Sequence, residues 1–295
     1  MVKYVLITPA KNEEAYIQKT IESIINQTIK PIKWVIVSDG STDRTDEIVE
    51  SYIQKHPFIQ LIKKQADATR NFGAKVFAFR AGFEQMKNLD YDFIGNLDGD
   101  MGLDPDYYEK IFRKFEENKL LGIAGGVRMD YLGGKFIKIH SSRNSVAGGF
   151  QMFRRNCFEK IGGYIPIRYG GIDAAAEIMA RMYGWQVHSF EDITAYHYKP
   201  TGSARTNIIK GKFQAGVKYY LLGYYPPFPI IRFAMRIYQR PYVIGSLVSI
   251  IGFLWASIRN YERPVSIEFV EHIRTEQKSR LKNILKSGKD PLFKF

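Results

Sequence analysis

Apolar positions in the first hundred residues switch between two patterns. Short, largely apolar runs at residues 4–7, 34–37 and 59–62, and around Phe93, Ile94 and Leu97, read as strands, the continuous run at 34–37 as one buried on both faces. Between them apolar residues recur every three or four positions: Ile17, Ile21, Ile24 and Ile25; then Ile48, Val49, Tyr52 and Ile53; then Phe72, Val76, Phe79 and Phe83 within 68–86. That spacing predicts helices laid on a sheet. Strands alternating with helices imply βαβ units and an α/β fold with a mostly parallel, Rossmann-like sheet. Ligands of such sheets bind beyond the carboxyl ends of the strands, so the loops after Ile7, Val37 and Leu97 are expected to share one crevice.

The second half continues the alternation less regularly. Asp104-Pro105-Asp106 opens a helix whose inner face is Tyr108, Ile111, Phe112 and Phe115. Strands are predicted at 123–129 and 185–190, and a helix up to Tyr183. Residues 141–150 are polar and glycine-rich, which suits a mobile loop beside a site. After Thr206 the composition changes. Ile230, Ile231, Phe233, Ala234 and Ile237 interleave with Arg232, Arg236 and Arg240, a basic amphipathic pattern. Residues 241–258 carry no charge. As a helix they extend about 27 Å at about 1.5 Å per residue, just short of a bilayer core of about 30 Å. They are expected either to associate with a membrane through 228–260 or to pack on the catalytic domain or in an oligomer. Residues 268–286 read as a charged amphipathic helix. The expected division is a domain at 1–205, split near 125, followed by a helical region at 206–295.

Composition narrows the partners. The 295 residues carry a formal charge of +13, which suits an anionic membrane surface or phosphorylated substrates. No helix-turn-helix, zinc-ligand or RNA-binding signature occurs, so nucleic acid is not expected. Cys157 is the sole cysteine, so no internal disulfide forms, as in a reducing compartment. The first apolar run is too short and too soon interrupted for a signal peptide. Together these place the chain in the cytoplasm or on the cytoplasmic face of a membrane.

The candidate chemistry centres on Asp98-Gly99-Asp100 at the end of the fourth strand. Residues two apart on extended chain point the same way, and Gly99 lets a ligand come close. Two converging carboxylates suit Mg²⁺ or Mn²⁺ carrying a phosphate; taken alone, the pattern favours a solvated Asp-Gly turn. Asp39, ending the second strand, can accept from a base N–H or simply belong to a turn. No G-x-G-x-x-G follows the first strand and no G-x-x-x-x-G-K-[ST] occurs, which excludes a dinucleotide fingerprint and a P-loop.

Four segments taken in series are more specific: Pro9-Ala10-Lys11-Asn12-Glu13-Glu14, Val37-Ser38-Asp39-Gly40-Ser41-Thr42-Asp43, Arg70-Asn71-Phe72-Gly73 and Leu97-Asp98-Gly99-Asp100. In order and spacing they resemble the family 2 inverting glycosyltransferases of GT-A fold. The resemblance implies that Pro9, Ala10, Glu13 and Asp39 line a nucleoside pocket and that Arg70 reaches base or phosphates. It places Asp98 and Gly99 near the ribose and makes Asp100 a metal ligand. Lys11 stands where the family often has Tyr. The segment at 148–155 resembles the family's strand beneath the acceptor.

Asp173, after Tyr169-Gly170-Gly171-Ile172, resembles the second acid of the family's Glu-Asp pair, with Ile172 in place of the first; Arg181 and Gly184-Trp185 follow. Locally Asp173 reads as a helix cap or as the general base that transfer with inversion requires, with Glu177 one turn on as the fallback. His197 is either a packed histidine or a further metal ligand, and Lys199 and Arg205 either close over a diphosphate or lie on the surface. The implied function is metal-dependent transfer of a sugar from a nucleotide-diphospho-sugar to a glycan or a lipid-linked acceptor such as a polyprenyl phosphate. The rivals are a sugar-phosphate nucleotidyltransferase and a non-catalytic nucleotide-sugar or glycan-binding protein.

Overall fold

A computed structural model describes residues 2–65, 73–139, 142–199, 208–235 and 241–287. The four apolar runs form β1 (Tyr4–Ala10), β2 (Lys33–Asp39), β3 (Ile59–Lys64) and β4 (Phe93–Asn96). They pair in parallel in the order β3-β2-β1-β4. Helices α1 (Ile17–Ile25), α2 (Thr45–Ile53) and α3 (Gly73–Glu84) connect them. Ile17, Ile21 and Ile24 of α1 are fully buried, each contributing about 1.5–3 kcal/mol. On α3, a Cβ at Gly82 would fall 2.7 Å from Ile7 Cγ2, so only glycine lets this helix lie so close to β1.

Beyond β4 come β5 (Met101–Leu103), α4 (Tyr107–Glu117), β6 (Leu121–Leu132), β7 (Lys135–Lys138), β8 (Met152–Arg154), α5 (Arg155–Ile161), α6 (Ile172–Met182) and β9 (Gln186–His197). The sheet continues from β4 as β8-β6-β9-β5, with β7 on β6. It is mixed, not mostly parallel as expected: β4–β8, β8–β6, β6–β7 and β9–β5 are antiparallel. The cause is the connections. Parallel neighbours need a long crossover, whereas β6 turns straight back into β7 at Gly133-Gly134.

β5 follows β4 after only residues 97–100, yet β4 and β5 are separated in the sheet by β8, β6 and β9. A link this short reaches at most about 18 Å. The sheet therefore curls until its far edge returns beside β4, and Asp98-Gly99-Asp100 lies in the closing link. The expected mobile loop is instead stitched down: Val146 and Phe150 are buried, and Asn96 Nδ2 donates to Gly148 O at 2.5 Å.

Among the described residues four further helices follow: α7 (Ile208–Leu221), α8 (Pro227–Ala234), α9 (Tyr242–Ile258) and α10 (Ile267–Ser287). α10 packs on α6 and its Glu276 pairs with Arg181 at 2.8 Å. α7 and α9 meet through small residues, with Ser249 O 1.9 Å from where a Cβ on Gly216 would stand. The expected basic helix is α8, and residues 236–240 of that pattern lie outside the described residues. Among the described residues no helix is long and apolar enough to cross a membrane. α9, with 17 residues, instead lays one face on α7 and leaves the other exposed.

Candidate active site

Strand register brings the predicted residues together. Pro9 and Ala10 of β1 pair with Val37 and Ser38 of β2, and Ile7 pairs with Asn96 of β4. Asp39, Ala10 and Asp98 therefore stand side by side at the carboxyl ends of three adjacent strands. Asp39 is buried, with Lys64 Nζ 3.8 Å from its Oδ1. Arg70 and Arg205 lie outside the described residues.

Glu13 follows β1 and faces the Asp98-Gly99-Asp100 link, where a Cβ at Gly99 would fall 3.4 Å from its Cγ. Burial raises the Glu13 pKa; the hydrogen bond from Lys199 at 2.8 Å opposes this, and the charges of Asp100 and Asp98 reinforce it. Thr20 of α1 donates to Gly99 O at 2.9 Å and fixes the link from below. Asp98 accepts from Lys75 Nζ at 2.5 Å and from Asn96 Nδ2 at 3.2 Å.

Asp100 is 8 % exposed, which excludes the solvated turn. Its Oδ2 lies 3.3 Å from His197 Nε2, and its Oδ1 is buried without a hydrogen-bond partner. His197 ends β9, between Met101 of β5 and Asp130 of β6. Its Nδ1 lies 3.1 Å from Asp130 Oδ1, which also pairs with Arg128 Nε at 2.9 Å. Burial alone would lower the His197 pKa; Asp100 and Asp130 outweigh it and hold it above the ordinary value.

Among the described residues no three acid, histidine or cysteine side chains form a ready metal cage. Mg²⁺ is ordinarily held by one or two carboxylates together with substrate phosphates, and imidazole suits Mn²⁺. The orphaned Asp100 Oδ1 beside a histidine whose far nitrogen meets a carboxylate fits that requirement.

Asp173 is the second residue of α6, after Gly171, which occupies the cap position in left-handed conformation. A glycine has no side chain to cap with, and Asp173 is not in the capping position. The acid instead faces the neighbouring loop: a Cβ at Gly148 would fall 3.1 Å from Asp173 Oδ2, and one at Gly149 3.2 Å from Asp98 Oδ2. Two adjacent glycines thus run between the two acids, and only residues without side chains leave both carboxylates uncovered.

Glu177, the fallback base, is 4 % exposed and accepts from Val146 N–H at 2.6 Å, Ser145 Oγ at 3.2 Å and Gln151 Nε2 at 3.2 Å. Burial first, then the Asp173 charge, push its pKa up to about 8. It anchors the glycine loop and is shut away from any acceptor.

Lys75, Asn96, Asp130 and Gln151 are site residues that sequence reasoning missed. Asn96 sits two residues before Asp98, so its side chain points the same way, and that signal was readable. Asp130 and Gln151 reach the site only through long-range pairing, which no local pattern announces.

Residues 5–173 match the sequence profile of glycosyl transferase family 2. Over 118 residues, 39 % of the chain, the sequence is 31 % identical to glycosyltransferase GlyA of Streptococcus pneumoniae, and the match covers 15 % of that protein. In fold it resembles a mannosyltransferase of Pyrobaculum calidifontis solved with GDP-mannose and Mn²⁺, at TM-score 0.57 and 14 % identity, covering 94 % of this chain and 80 % of that one. It also resembles TarS of Staphylococcus aureus solved with UDP-GlcNAc, at TM-score 0.55 and 15 % identity, covering 97 % and 86 %. With more than half its length matched by the profile, the chain belongs to glycosyl transferase family 2.

Proposed function

We propose that this glycosyltransferase moves a sugar from a nucleotide-diphospho-sugar to a hydroxyl of a glycan or lipid-linked acceptor, with inversion at the anomeric carbon. One observation carries the reading: Asp98 and Asp173 flank the same bare Gly148-Gly149 step, which leaves room for a sugar between a donor-side and an acceptor-side carboxylate. Asp39 receives hydrogen bonds from the base, while Pro9, Ala10 and Glu13 line the nucleoside pocket. Asp98 holds the ribose with Gly99 beneath it. Asp100 and His197 would hold Mn²⁺ or Mg²⁺, which would supply charge to neutralise the departing diphosphate.

Asp173 takes the proton from the acceptor hydroxyl as that oxygen bonds to the anomeric carbon. The bond from that carbon to the diphosphate oxygen breaks, and the electron pair leaves with the nucleoside diphosphate. Attack from the face opposite the leaving group gives inversion. Support comes from the family membership and from neighbours in fold solved with GDP-mannose and UDP-GlcNAc.

The test is a thermal-shift panel of UDP-, GDP- and dTDP-sugars with Mn²⁺ or Mg²⁺, followed by product analysis with the stabilising donor. One donor class is expected to raise Tm only when metal is present. A panel in which no donor does so overturns the reading.

A further inference from the structure

α9 is built inside out. Val243, Ile244, Leu247, Ile251, Leu254 and Ile258 are all exposed, Ile258 to 78 %. At about 100° per residue these six fall within one arc of about 100°. The opposite arc holds Gly245, Ser246, Ser249, Gly252 and Ala256 with a single large residue, Phe253, all buried. There the helix meets α7 at backbone distance: a Cβ on Gly252 would stand 2.2 Å from Phe213 O. A water-facing helix puts its bulk inward. Small residues inward and large aliphatics outward is the arrangement of helices packed in an apolar medium.

The patch extends beyond α9. Ile230, Ile231 and Met235, at the end of α8, are exposed as well. Trp255 is 43 % exposed near the carboxyl end of α9, with the Arg259 guanidinium 4.8 Å above its ring, and Tyr242 is exposed at the other end. Amphipathic aromatics at the ends of an apolar face suit the level of lipid headgroups.

Charge decides between occupants. Helices α7, α8 and α9 carry no aspartate or glutamate, whereas Lys210, Lys212, Lys218 and Arg232 stand on them and Arg259 follows α9 directly. In a two-fold dimer the same patch meets itself, which would set like charges against each other. An anionic bilayer meets the apolar face with tails and the basic surround with headgroups. We infer that α9 lies in the plane of an anionic membrane surface, its Val243-to-Ile258 face sunk among the acyl chains, without crossing.

This docking does not depend on the chemistry assigned to Asp173, but it bears on the acceptor. α7, the underside of α9, also packs on the start of α6, where a Cβ at Gly171 would fall 3.0 Å from Lys218. Docking therefore fixes the Asp173 end of the site relative to the bilayer, with α7 and α9 between them, in a protein held on the surface where a lipid-linked acceptor resides.

The experiment is co-sedimentation of the full chain with phosphatidylglycerol/phosphatidylcholine vesicles and with pure phosphatidylcholine vesicles, at low and at high salt. The protein is expected to pellet with the anionic vesicles, with a blue shift of Trp255 emission that Trp255→Phe removes. Leu247→Gln/Ile251→Gln is expected to cut the bound fraction at least tenfold while retaining the wild-type circular dichroism spectrum and the wild-type Tm rise with donor and metal. A wild-type protein that stays in the supernatant with both vesicle types overturns the proposal. So does a wild-type dimer in light scattering that this variant splits while vesicle binding is unchanged. Donor binding is read separately, so failure of membrane docking and failure of the proposed transfer are told apart.

Discussion

Replacing Asp173 by Asn preserves shape and removes the ability to take a proton. We expect Asp173→Asn to lower kcat by about 10²–10⁴-fold with the donor Kd within about twofold, because the proposed donor side is built from other residues. Full residual activity would move the base elsewhere. Asp130 touches the proposed metal only through His197. Asp130→Asn is expected to weaken Mn²⁺ binding about 10–100-fold in a paramagnetic-resonance titration with nucleoside diphosphate, with activity restored at saturating Mn²⁺. A purely structural defect would not be rescued by metal.

Glu177 has a different signature. Its carboxyl titrates near 4.5 when free and near 8 in the fold. Between those values the unfolded chain releases the proton while the folded chain keeps it, so stability is full below about 4.5 and is lost as pH rises through about 8. Glu177→Gln has nothing to titrate, so its Tm should be flatter than that of the wild type across this window. Parallel Tm profiles for the two proteins would show that Glu177 is ionised throughout.

At the scale of elements, close approach through glycine is the recurring device. A Cβ on Gly216 would collide with the backbone carbonyl of Ser249, 1.9 Å away, and backbone cannot swing aside. Gly216→Ala should therefore cost about 1–3 kcal/mol, read as a lower denaturant midpoint, and it should loosen α9 more than the sheet. Much of this level was legible in the chain. The runs at 4–7 and 34–37 became β1 and β2 because a strand buried on both faces must be continuously apolar. The spacing of Ile17, Ile21 and Ile24 became α1 for the matching reason. What escaped was pairing direction. Residues 152–154, Met-Phe-Arg, carry no mark of their neighbour, and nothing local states that β8 inserts antiparallel beside β4. The same holds for the site: Asp98 and Asp100 announced themselves as a pair, whereas Asp130 gained its meaning only when β6 was laid beside β9.

For the whole molecule, contacts cross the expected boundary near residue 205. α10 is tied to α6 by Arg181–Glu276, and α7 presses on Gly171 just before Asp173. Truncation after residue 205 should therefore yield an unstable protein, not a compact catalytic unit, and limited proteolysis of the full chain should not release one. The closing link at 97–100 carries a second constraint at this scale. Its length is fixed twice, once by the need to bring β5 back beside β4 and once by the need to hold two acids at the proposed donor site. The chain has no slack there, whereas the Gly133-Gly134 tip of the β6–β7 hairpin has nothing within 4 Å of either glycine's side-chain position. One extra glycine should pass almost unnoticed at that tip. The same residue added after Gly99 should unseat chemistry and architecture together, so homologues can be expected to vary in length at the hairpin and to keep step, residue for residue, through the acidic turn.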